Sequence, residues 1–249
     1  MGKRRRTDAN NPLPSRISKF WNQRYTLFSK FDDGIQLNEE LWYSVTPEEM
    51  AMYLAKFFRH IFPEAKTILD ICSGGGGNTI QFARYFPNSK IFGIDNTQAN
   101  IDCAIVNSAV YNVEDRITYL LRDWENYHLF INELKELIGP VDVAFCSPPW
   151  GGPSYLNQEV YDSENIKPLG LERLLESMFQ LTENVVLFLP RNTNKTQLSA
   201  VTRKLKGPSA KCRVVEAYVN ERPKGILCFW GKKFTSYQPK NDSTDEEGY

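Results

Sequence analysis

Histidine is scarce in this sequence, which contains only His60 and His128, and its five cysteines include no C-x-x-C pair. This scarcity argues against histidine-based catalysis and metal binding, and dispersed cysteines in apolar runs indicate reduced intracellular thiols. No apolar run approaches the ~18 residues that a membrane span requires, and the amino terminus lacks an apolar signal core. We therefore expect a soluble protein that is not exported by a conventional route and that binds no metal.

A net charge is also missing, because 30 basic residues balance 30 acidic ones. Proteins that grip long DNA or RNA generally carry a basic excess, so the overall charge gives no support for that function. The charges are nevertheless unevenly placed, with KRRR at residues 3–6 and NDSTDEEGY at the end. We expect disordered tails, basic over 1–16 and acidic over 235–249, and the basic run also suits nuclear localisation or RNA contact.

An N-terminal helical extension is predicted over residues 17–62. The stretch ISKFWNQRYTLF, residues 17–28, places aromatic side chains at helical spacing. In SVTPEEMAMYLAKFFRHIF, residues 44–62, Thr46 is a candidate N-cap and Pro47 falls in the first turn of a helix. We expect this extension to pack on the domain that follows.

Strands and helices alternate over residues 63–234, and the last two strands are separated by the turn-rich segment ERPKG. Five strands separated by helices and then a hairpin predict an α/β fold. Its sheet is doubly wound, seven-stranded and mostly parallel, with an antiparallel C-terminal strand. The predicted strands are 66–72, 90–95, 117–123, 141–149, 184–190, 213–220 and 226–231, and the helices after the glycine-rich turn are 97–111, 124–138 and 169–181.

Acidic residues stand at the predicted carboxyl ends of the first three strands, namely Asp70, Asp95 and Asp123. Ligands bind outside this edge of a doubly wound sheet, and the glycine-rich turn lets the backbone approach one closely. The turn lacks both the G-x-G-x-x-G spacing and the Lys-Ser/Thr of a P-loop. Carboxylates without a nearby cation favour S-adenosylmethionine (SAM) over NAD or ATP, with Asp95 on the ribose and Asp123 near the adenine amino group. The alternatives are a turn that serves packing only and aspartates that cap helices.

The fourth predicted strand ends in the turn Ser147-Pro148-Pro149-Trp150. Amino-methyltransferases place a turn of this type here, because the lone pair of an exocyclic amine is delocalised into its ring. The Ser147 oxygen and a backbone carbonyl can accept the two N–H bonds, which turns the lone pair towards the methyl donor, while Trp150 stacks on the base. The alternative is a strand ended by proline, with Trp150 covering the core.

The chain contains, in this order, FDDGIQLNEELWYSVTPEEMA, DICSGGGGNTIQFA, IDNTQANIDCAIVNSAVYNV, SPPWGGPSY and FLPRN. Their order and spacing, from Lys19 to Trp230, resemble the trimethylguanosine synthase family of RNA cap hypermethylases. The resemblance implies a class I Rossmann-like methyltransferase that uses SAM. It implies two methyl transfers to N2 of 7-methylguanosine, which give the 2,2,7-trimethylguanosine cap of small nuclear and nucleolar RNAs. It also implies a nuclear and nucleolar location and contact with the proteins of those ribonucleoprotein particles.

The resemblance also implies roles for individual residues. Ser147, Pro148 and Trp150 are expected at the reacting base. The residues expected to contact SAM are Phe28, Thr46, Asp70, Ser73, Gly74, Asn78, Thr79, Asp95, Asn96, Asp123 and Trp124. Those expected to contact the capped RNA are Lys19, Ser44, Asn107, Trp150, Tyr155, Arg191 and Asn192, with Lys19 and Arg191 on the cap phosphates.

Two other functions remain open at this point. One is a base N-methyltransferase that acts on rRNA, tRNA or DNA, against which the zero net charge counts for a long duplex substrate. The other is a non-catalytic cap-binding or RNA-binding module with the same fold.

The glycine-rich turn departs from the pattern of the family. It reads Ser73-Gly-Gly-Gly-Gly, whereas a Cys-Gly-x-Gly-Gly-like run is expected, and this difference bears on the affinity for SAM.

Overall fold

The computed structural model describes residues 12–15, 17–152, 158–219 and 221–239. Most of both predicted tails and the predicted substrate residue Tyr155 lie outside these ranges. Within them, no helix combines the length and the apolar character needed to cross a membrane. The same ranges hold no group of three or more His, Cys, Asp or Glu side chains placed to bind a metal ion. The five cysteines form no disulfide.

Seven strands of the described chain form one sheet: β1 (Thr67–Ile71), β2 (Lys90–Asp95), β3 (Ile117–Leu121), β4 (Val143–Cys146), β5 (Val185–Leu189), β6 (Arg213–Val219) and β7 (Arg222–Phe229). Their order across the sheet is β3-β2-β1-β4-β5-β7-β6. Strands β1 to β5 pair in parallel, whereas β7 is antiparallel to both β5 and β6. The predicted mostly parallel sheet with an antiparallel C-terminal strand is confirmed.

Helices cover both faces of this sheet and form the extension before it. The α-helices of the described ranges are α1 (Arg24–Leu27), α2 (Leu41–Ser44), α3 (Glu48–Ile61), α4 (Gly77–Tyr85), α5 (Gln98–Val110), α6 (Ile131–Ile138), α7 (Leu171–Phe179), α8 (Lys195–Lys206) and α9 (Lys232–Ser236). Short 3-10 helices span Ser18–Gln23, Phe31–Asp33, Glu114–Arg116, Trp124–Leu129 and Ser163–Asn165.

The central strands bury side chains on both faces of the sheet, because successive residues of a strand point to opposite sides. Ile68 of β1 lies in one core with Phe82 of α4, whereas its neighbour Leu69 lies in the other core with Leu174 of α7. A strand buried on both faces needs a continuous apolar run. This requirement explains why the strands were visible in the sequence.

The carboxyl ends of the neighbouring strands β1 and β4 lie at the point where the order of the strands in the sheet reverses. Strand β1 pairs with β2 on one side and with β4 on the other. The helix after β1 packs in the first core, whereas α7, which follows β4, packs in the second. The connections after β1 and β4 therefore diverge and leave a crevice between them, where doubly wound sheets bind ligands.

Three helical details differ from the sequence-based expectation. Helix α8 is not predicted, since its sequence is largely polar and only a few of its residues, such as Leu198 and Val201, are buried. The predicted helix 124–138 consists of the 3-10 helix Trp124–Leu129 followed by α6. The N-cap of α3 is Pro47 and not Thr46, because the carbonyl of Pro47 accepts the first helical hydrogen bonds.

The C-terminal hairpin is also tighter than predicted. The segment ERPKG is not a loop, because β7 already begins at Arg222, which pairs with Val219. The register of the hairpin shifts between Ala217 and Tyr218, as in a β-bulge. As a result Lys224 belongs to a strand.

A buried carboxylate joins the N-terminal extension to the domain. Glu48 begins α3 and is 7% exposed. It accepts hydrogen bonds from the Ser29 backbone amide, from Tyr111 Oη at 3.0 Å and from Gln81 Nε2 at 3.3 Å, and it pairs with Arg84 at 3.4 Å. Burial raises the pKa of the Tyr111 hydroxyl to about 12, so this donor stays protonated at neutral pH. The extension, α4 and the end of α5 therefore meet at one residue.

Replacing Glu48 by alanine should lower the free energy of unfolding by about 3 kcal/mol, because the change leaves buried partners of a charged network unsatisfied. Urea denaturation followed by circular dichroism measures the loss. Glu49→Ala is the matched control, since Glu49 lies beside it in the same first turn and is exposed. Equal losses in the two variants would contradict the role of Glu48.

Candidate active site

A cleft with a volume of about 980 Å³ opens between the carboxyl ends of the parallel strands and the N-terminal extension. Its size is at the upper end of the range usual for small-molecule sites. Many of the predicted site residues line it together: Lys19, Ser44, Thr46, Ser73, Gly74, Asn78, Asp95, Asn96, Asp123, Trp124, Ser147, Pro148 and Trp150.

Asp95 fixes the glycine-rich turn at one end of the cleft. Its Oδ2 accepts from the Gly74 amide at 2.9 Å, and its Oδ1 accepts from the Thr97 amide at 3.0 Å and from Asn100 Nδ2 at 3.1 Å. A carboxylate oxygen can accept two hydrogen bonds, so Oδ2 keeps capacity for a ligand hydroxyl. The side chain is almost fully buried, which strengthens such a contact.

The turn itself needs its glycines at two places. Gly76 has φ +84°, and a Cβ there would lie 2.8 Å from Tyr119 Oη. A Cβ at Gly75 would lie 3.1 Å from the Leu41 side chain, which belongs to the extension. The turn is therefore compressed between β3 and the extension, and its backbone conformation is held by packing.

Asp70 lies behind the turn and does not line the cleft. The side chain is 0% exposed, its Oδ2 accepts from Thr79 Oγ1 at 2.5 Å, and its Oδ1 has no hydrogen-bond partner within the part of the chain that the structure describes. Burial raises the pKa of this carboxyl to about 7, although the hydrogen bond from Thr79 opposes the shift. Near neutral pH the group is therefore close to its midpoint.

Polar atoms without partners face the same end of the cleft. Asn78 Nδ2 donates to Thr46 Oγ1 at 3.0 Å, whereas the buried atoms Asn78 Oδ1 and Ser73 Oγ have no hydrogen-bond partner among the described residues. Buried polar groups are normally satisfied, so these atoms fit a polar ligand. Asp123 is half-buried at the rim and also caps the 3-10 helix that follows it, where its Oδ1 accepts from the Glu125 amide at 3.0 Å and its Oδ2 accepts from Asn126 Nδ2 at 3.1 Å. Acceptors on two sides suit the amino and hydroxyl groups of SAM.

The turn after β4 forms the other end of the cleft. Trp150 Nε1 donates to the Phe188 carbonyl oxygen at 3.2 Å, and the Trp150 and Phe188 rings meet edge to face at 5.1 Å and 67°. Pro148 is buried, whereas Ser147 is partly exposed and its hydroxyl makes no hydrogen bond within the described chain. These contacts hold the indole in one orientation and leave the Ser147 oxygen available to a substrate.

Asn107 is placed differently from its predicted contact with the base. The side chain is fully buried in α5, where Oδ1 accepts from the Gln36 amide at 2.8 Å and Nδ2 donates to the Gly75 carbonyl at 2.9 Å. Asn107 does not line the cleft, so its predicted contact with the base stays a prediction. In this structure Asn107 ties the extension to the glycine-rich turn.

The remaining predicted site residues that the structure describes do not line the cleft. Phe28 is 1% exposed and packs on Tyr111 in the core, and Thr79 is buried behind the turn. Arg191 and Asn192 follow β5 at the carboxyl edge of the sheet, where Asn192 Nδ2 donates to the Gln158 carbonyl at 2.7 Å. Their contact with a substrate stays a prediction, as does that of Tyr155 beyond the described residues.

Among the cleft residues that the sequence analysis did not find are Phe20, Tyr43, Lys167 and Lys224. No local pattern distinguishes them, because they come from distant parts of the chain and only the fold brings them together. Lys167 and Lys224 form no ion pair with a described carboxylate, so they add positive charge near Trp150. Anionic substrate groups fit this end better than the carboxylate end.

A family model described as RNA cap guanine-N2 methyltransferase matches residues 65–233. The chain belongs to the RNA cap guanine-N2 methyltransferase family. It is similar to the trimethylguanosine synthase of Saccharomyces cerevisiae, at 43% identity over 93% of this chain and 73% of that protein. It is also similar to the trimethylguanosine synthase of Schizosaccharomyces pombe, at 36% identity over 89% of each chain.

A solved structure supports the fold alone. The human methyltransferase 10 domain containing protein superposes with a TM-score of 0.58 at 12% identity, over 86% of this chain and 97% of that one. As a member of the cap guanine-N2 methyltransferase family, the protein is a SAM-dependent enzyme, and its substrate class is the RNA cap. The resemblance inferred from the sequence and the class I methyltransferase fold are both confirmed.

Asp70 makes the stability of the enzyme depend on pH. Its pKa is about 7 in the folded chain against the usual 3.8, so the folded state holds the proton more tightly than the unfolded state. The stabilisation is complete below about pH 4 and is lost as the pH rises through about 7. Relative to Asp70→Asn, the wild type should therefore lose about 4 kcal/mol of unfolding free energy across that window.

Urea titrations of both proteins at several pH values measure this difference. Asp115→Asn, which removes an exposed carboxyl in the 3-10 helix before β3, controls for the change in total charge. A constant difference between wild type and Asp70→Asn from pH 4 to 8 would show that Asp70 does not titrate in this range.

Proposed function

We propose that this chain transfers two methyl groups in succession to the exocyclic N2 of 7-methylguanosine caps, which gives 2,2,7-trimethylguanosine. One observation carries the proposal: the Ser147–Trp150 turn and the Asp95-held glycine-rich turn open onto the same cleft. An amine site and a site suited to SAM are thus adjacent, as a direct transfer requires. The names of the two yeast relatives agree with the product.

Trp150 selects the methylated base in this proposal. The base of 7-methylguanosine carries a delocalised positive charge, so stacking on the indole gains a cation–π contribution of about 0.5–2 kcal/mol over unmethylated guanine. The hydrogen bond to Phe188 and the edge-to-face contact prevent the indole from turning away. A fixed ring loses less entropy when the base binds.

Ser147 and the Pro148 carbonyl prepare the nitrogen for attack. Both can accept an N–H of the exocyclic amine, which draws its lone pair out of conjugation with the ring. SAM supplies an electrophilic methyl group when bound. With SAM bound, the N2 lone pair would form the new N–C bond as the C–S bond broke, the electron pair would stay on sulfur, and an N2 proton would leave to solvent. The acceleration comes from positioning and hydrogen bonding.

The second transfer needs only one of the two acceptors. After the first methylation N2 keeps one N–H, so either Ser147 or the Pro148 carbonyl can hold it while the new methyl group occupies the space of the lost hydrogen bond. The partly exposed position of Ser147 leaves room for that group. The spent cofactor must leave between transfers, and the width of the cleft is compatible with this exchange.

The phosphates of the cap fit the basic end of the cleft. Lys19, Lys167 and Lys224 line the cleft and form no ion pair with a described carboxylate. We assign the triphosphate to this end, and Arg191, which follows β5, is a further candidate on the same edge. A few local cations are enough for a cap, which explains how a chain of zero net charge binds RNA.

Mass spectrometry of cap dinucleotides, incubated with the protein and SAM, tests the reaction. Before the substrate is exhausted, we expect gains of one and then two methyl groups on the 7-methylated cap and about 2- to 30-fold less methylation of the unmethylated cap, because the cation–π contribution is absent there. Equal methylation of both caps would contradict selection by Trp150 and favour a broader guanine enzyme. No methylation of either cap would contradict the proposal.

The variant Trp150→Leu sharpens the test, since it keeps an apolar side chain and removes the ring. Its affinity for 7-methyl-GTP should fall about tenfold while its weak affinity for GTP changes little. Trp150→Phe is the matched control and should retain part of the preference. Calorimetry in the presence of S-adenosylhomocysteine separates binding from turnover.

The RNA class and the cellular location extend the proposal. We propose small nuclear and nucleolar RNAs as substrates, contacts with the proteins of their particles, and a nuclear and nucleolar location. The support is the basic run at residues 3–6 together with the product inferred above. A fluorescent fusion should accumulate in the nucleolus, and replacing the four basic residues by alanine should disperse it. An unchanged distribution would show that the basic run does not direct the protein to the nucleolus.

A further inference from the structure

Two aromatic side chains at the mouth of the cleft have no part in the reaction described above. Phe20 and Tyr43 both line the cleft, and their ring centroids lie 6.3 Å apart at an interplanar angle of 44°. Phe20 is half-buried against the core, whereas Tyr43 is 45% exposed. Aromatic faces exposed inside a ligand cleft are suited to stacking on a planar ligand.

A cation accompanies this aromatic pair. Lys19 is exposed, and its Nζ lies 5.0 Å from the centroid of the Phe20 ring. It forms no ion pair with a described carboxylate. Aromatic rings beside a free cation are the arrangement that proteins use to hold single-stranded nucleic acid, with bases on the rings and the phosphate on the cation.

The position of the pair within the cleft determines which part of a substrate it can reach. Phe20 and Tyr43 belong to the extension, whereas the carboxylates Asp95 and Asp123 lie at the sheet edge, where SAM fits. Glu40 also lines the extension side, so this wall is not uniformly basic. Mixed charge beside exposed rings favours base stacking over a purely electrostatic contact with a phosphate chain.

We infer that Phe20 and Tyr43 form a binding subsite for the nucleoside that follows the cap triphosphate, that is, the first transcribed nucleotide of the RNA. The inference rests on the proposed function, which places the 7-methylguanine on Trp150 and the phosphates near Lys19. An RNA whose cap phosphates lie beside Lys19 then reaches Phe20, which is next to Lys19 in the sequence, and after it Tyr43. Because stacking tolerates any base, the subsite distinguishes capped RNA from free 7-methyl-GTP without selecting a sequence.

Two ligands that differ only in the second nucleoside test this subsite: 7-methyl-GTP, which lacks it, and the dinucleotide m7GpppA, which has it. For Tyr43→Leu, calorimetry with S-adenosylhomocysteine present should give an about tenfold weaker affinity for m7GpppA and an affinity for 7-methyl-GTP within about twofold of the wild type. Tyr43→Phe keeps the ring and should restore the affinity for m7GpppA.

Tyr53→Leu is the matched control, because Tyr53 is 53% exposed on α3, stacks on Phe57 and does not line the cleft. Equal losses for both ligands in Tyr43→Leu would overturn the subsite, since the ring would then act on the cap base or on the shape of the cleft. Unchanged affinity for m7GpppA would overturn it as well. A wild type that binds both ligands equally contradicts the subsite alone, whereas one that binds neither contradicts the proposed function.

Discussion

The carboxylate of Glu48 is the interaction on which the ligand cleft depends. One wall of the cleft is the edge of the sheet and the other is the N-terminal extension, and these are distant in the chain. Glu48 contacts the Ser29 amide on one side and Tyr111, Gln81 and Arg84 on the other while almost fully buried. A buried charge requires all of its partners, so the extension is held where they converge. The two walls can then bind one substrate together.

The second constraint is the divergence of the chain after β1 and β4. The glycine-rich turn follows β1, the Ser-Pro-Pro-Trp turn follows β4, and the two strands are neighbours in the sheet. The course of the backbone therefore places the site suited to the methyl donor beside the site suited to the accepting amine. Asp95 holds the first turn through the Gly74 amide, and Phe188 holds the indole of the second. Rigid positioning of this kind is what a direct transfer without a covalent intermediate requires.

Part of the site was predictable because it follows strands that are visible in the sequence. Asp95, Asp123, Ser147 and Trp150 come directly after apolar runs, and the carboxyl ends of parallel strands share one edge, so their convergence could be argued before any coordinates. Helix α8 was missed because its sequence is largely polar and few of its residues are buried. The start of β7 was missed because the turn-forming residues of ERPKG also pair in a ladder.

The sequence by itself determined the fold class, the order of the elements and the family, because buried strands need apolar runs and the motifs stand in a fixed order. Only the tertiary structure decided which candidates line the cleft. Asn107 and Asp70 lie behind the glycine-rich turn, whereas Phe20 and Lys224 reach the cleft from opposite ends of the chain. The physical reason is that side-chain burial and convergence depend on contacts between distant segments, which no local pattern encodes.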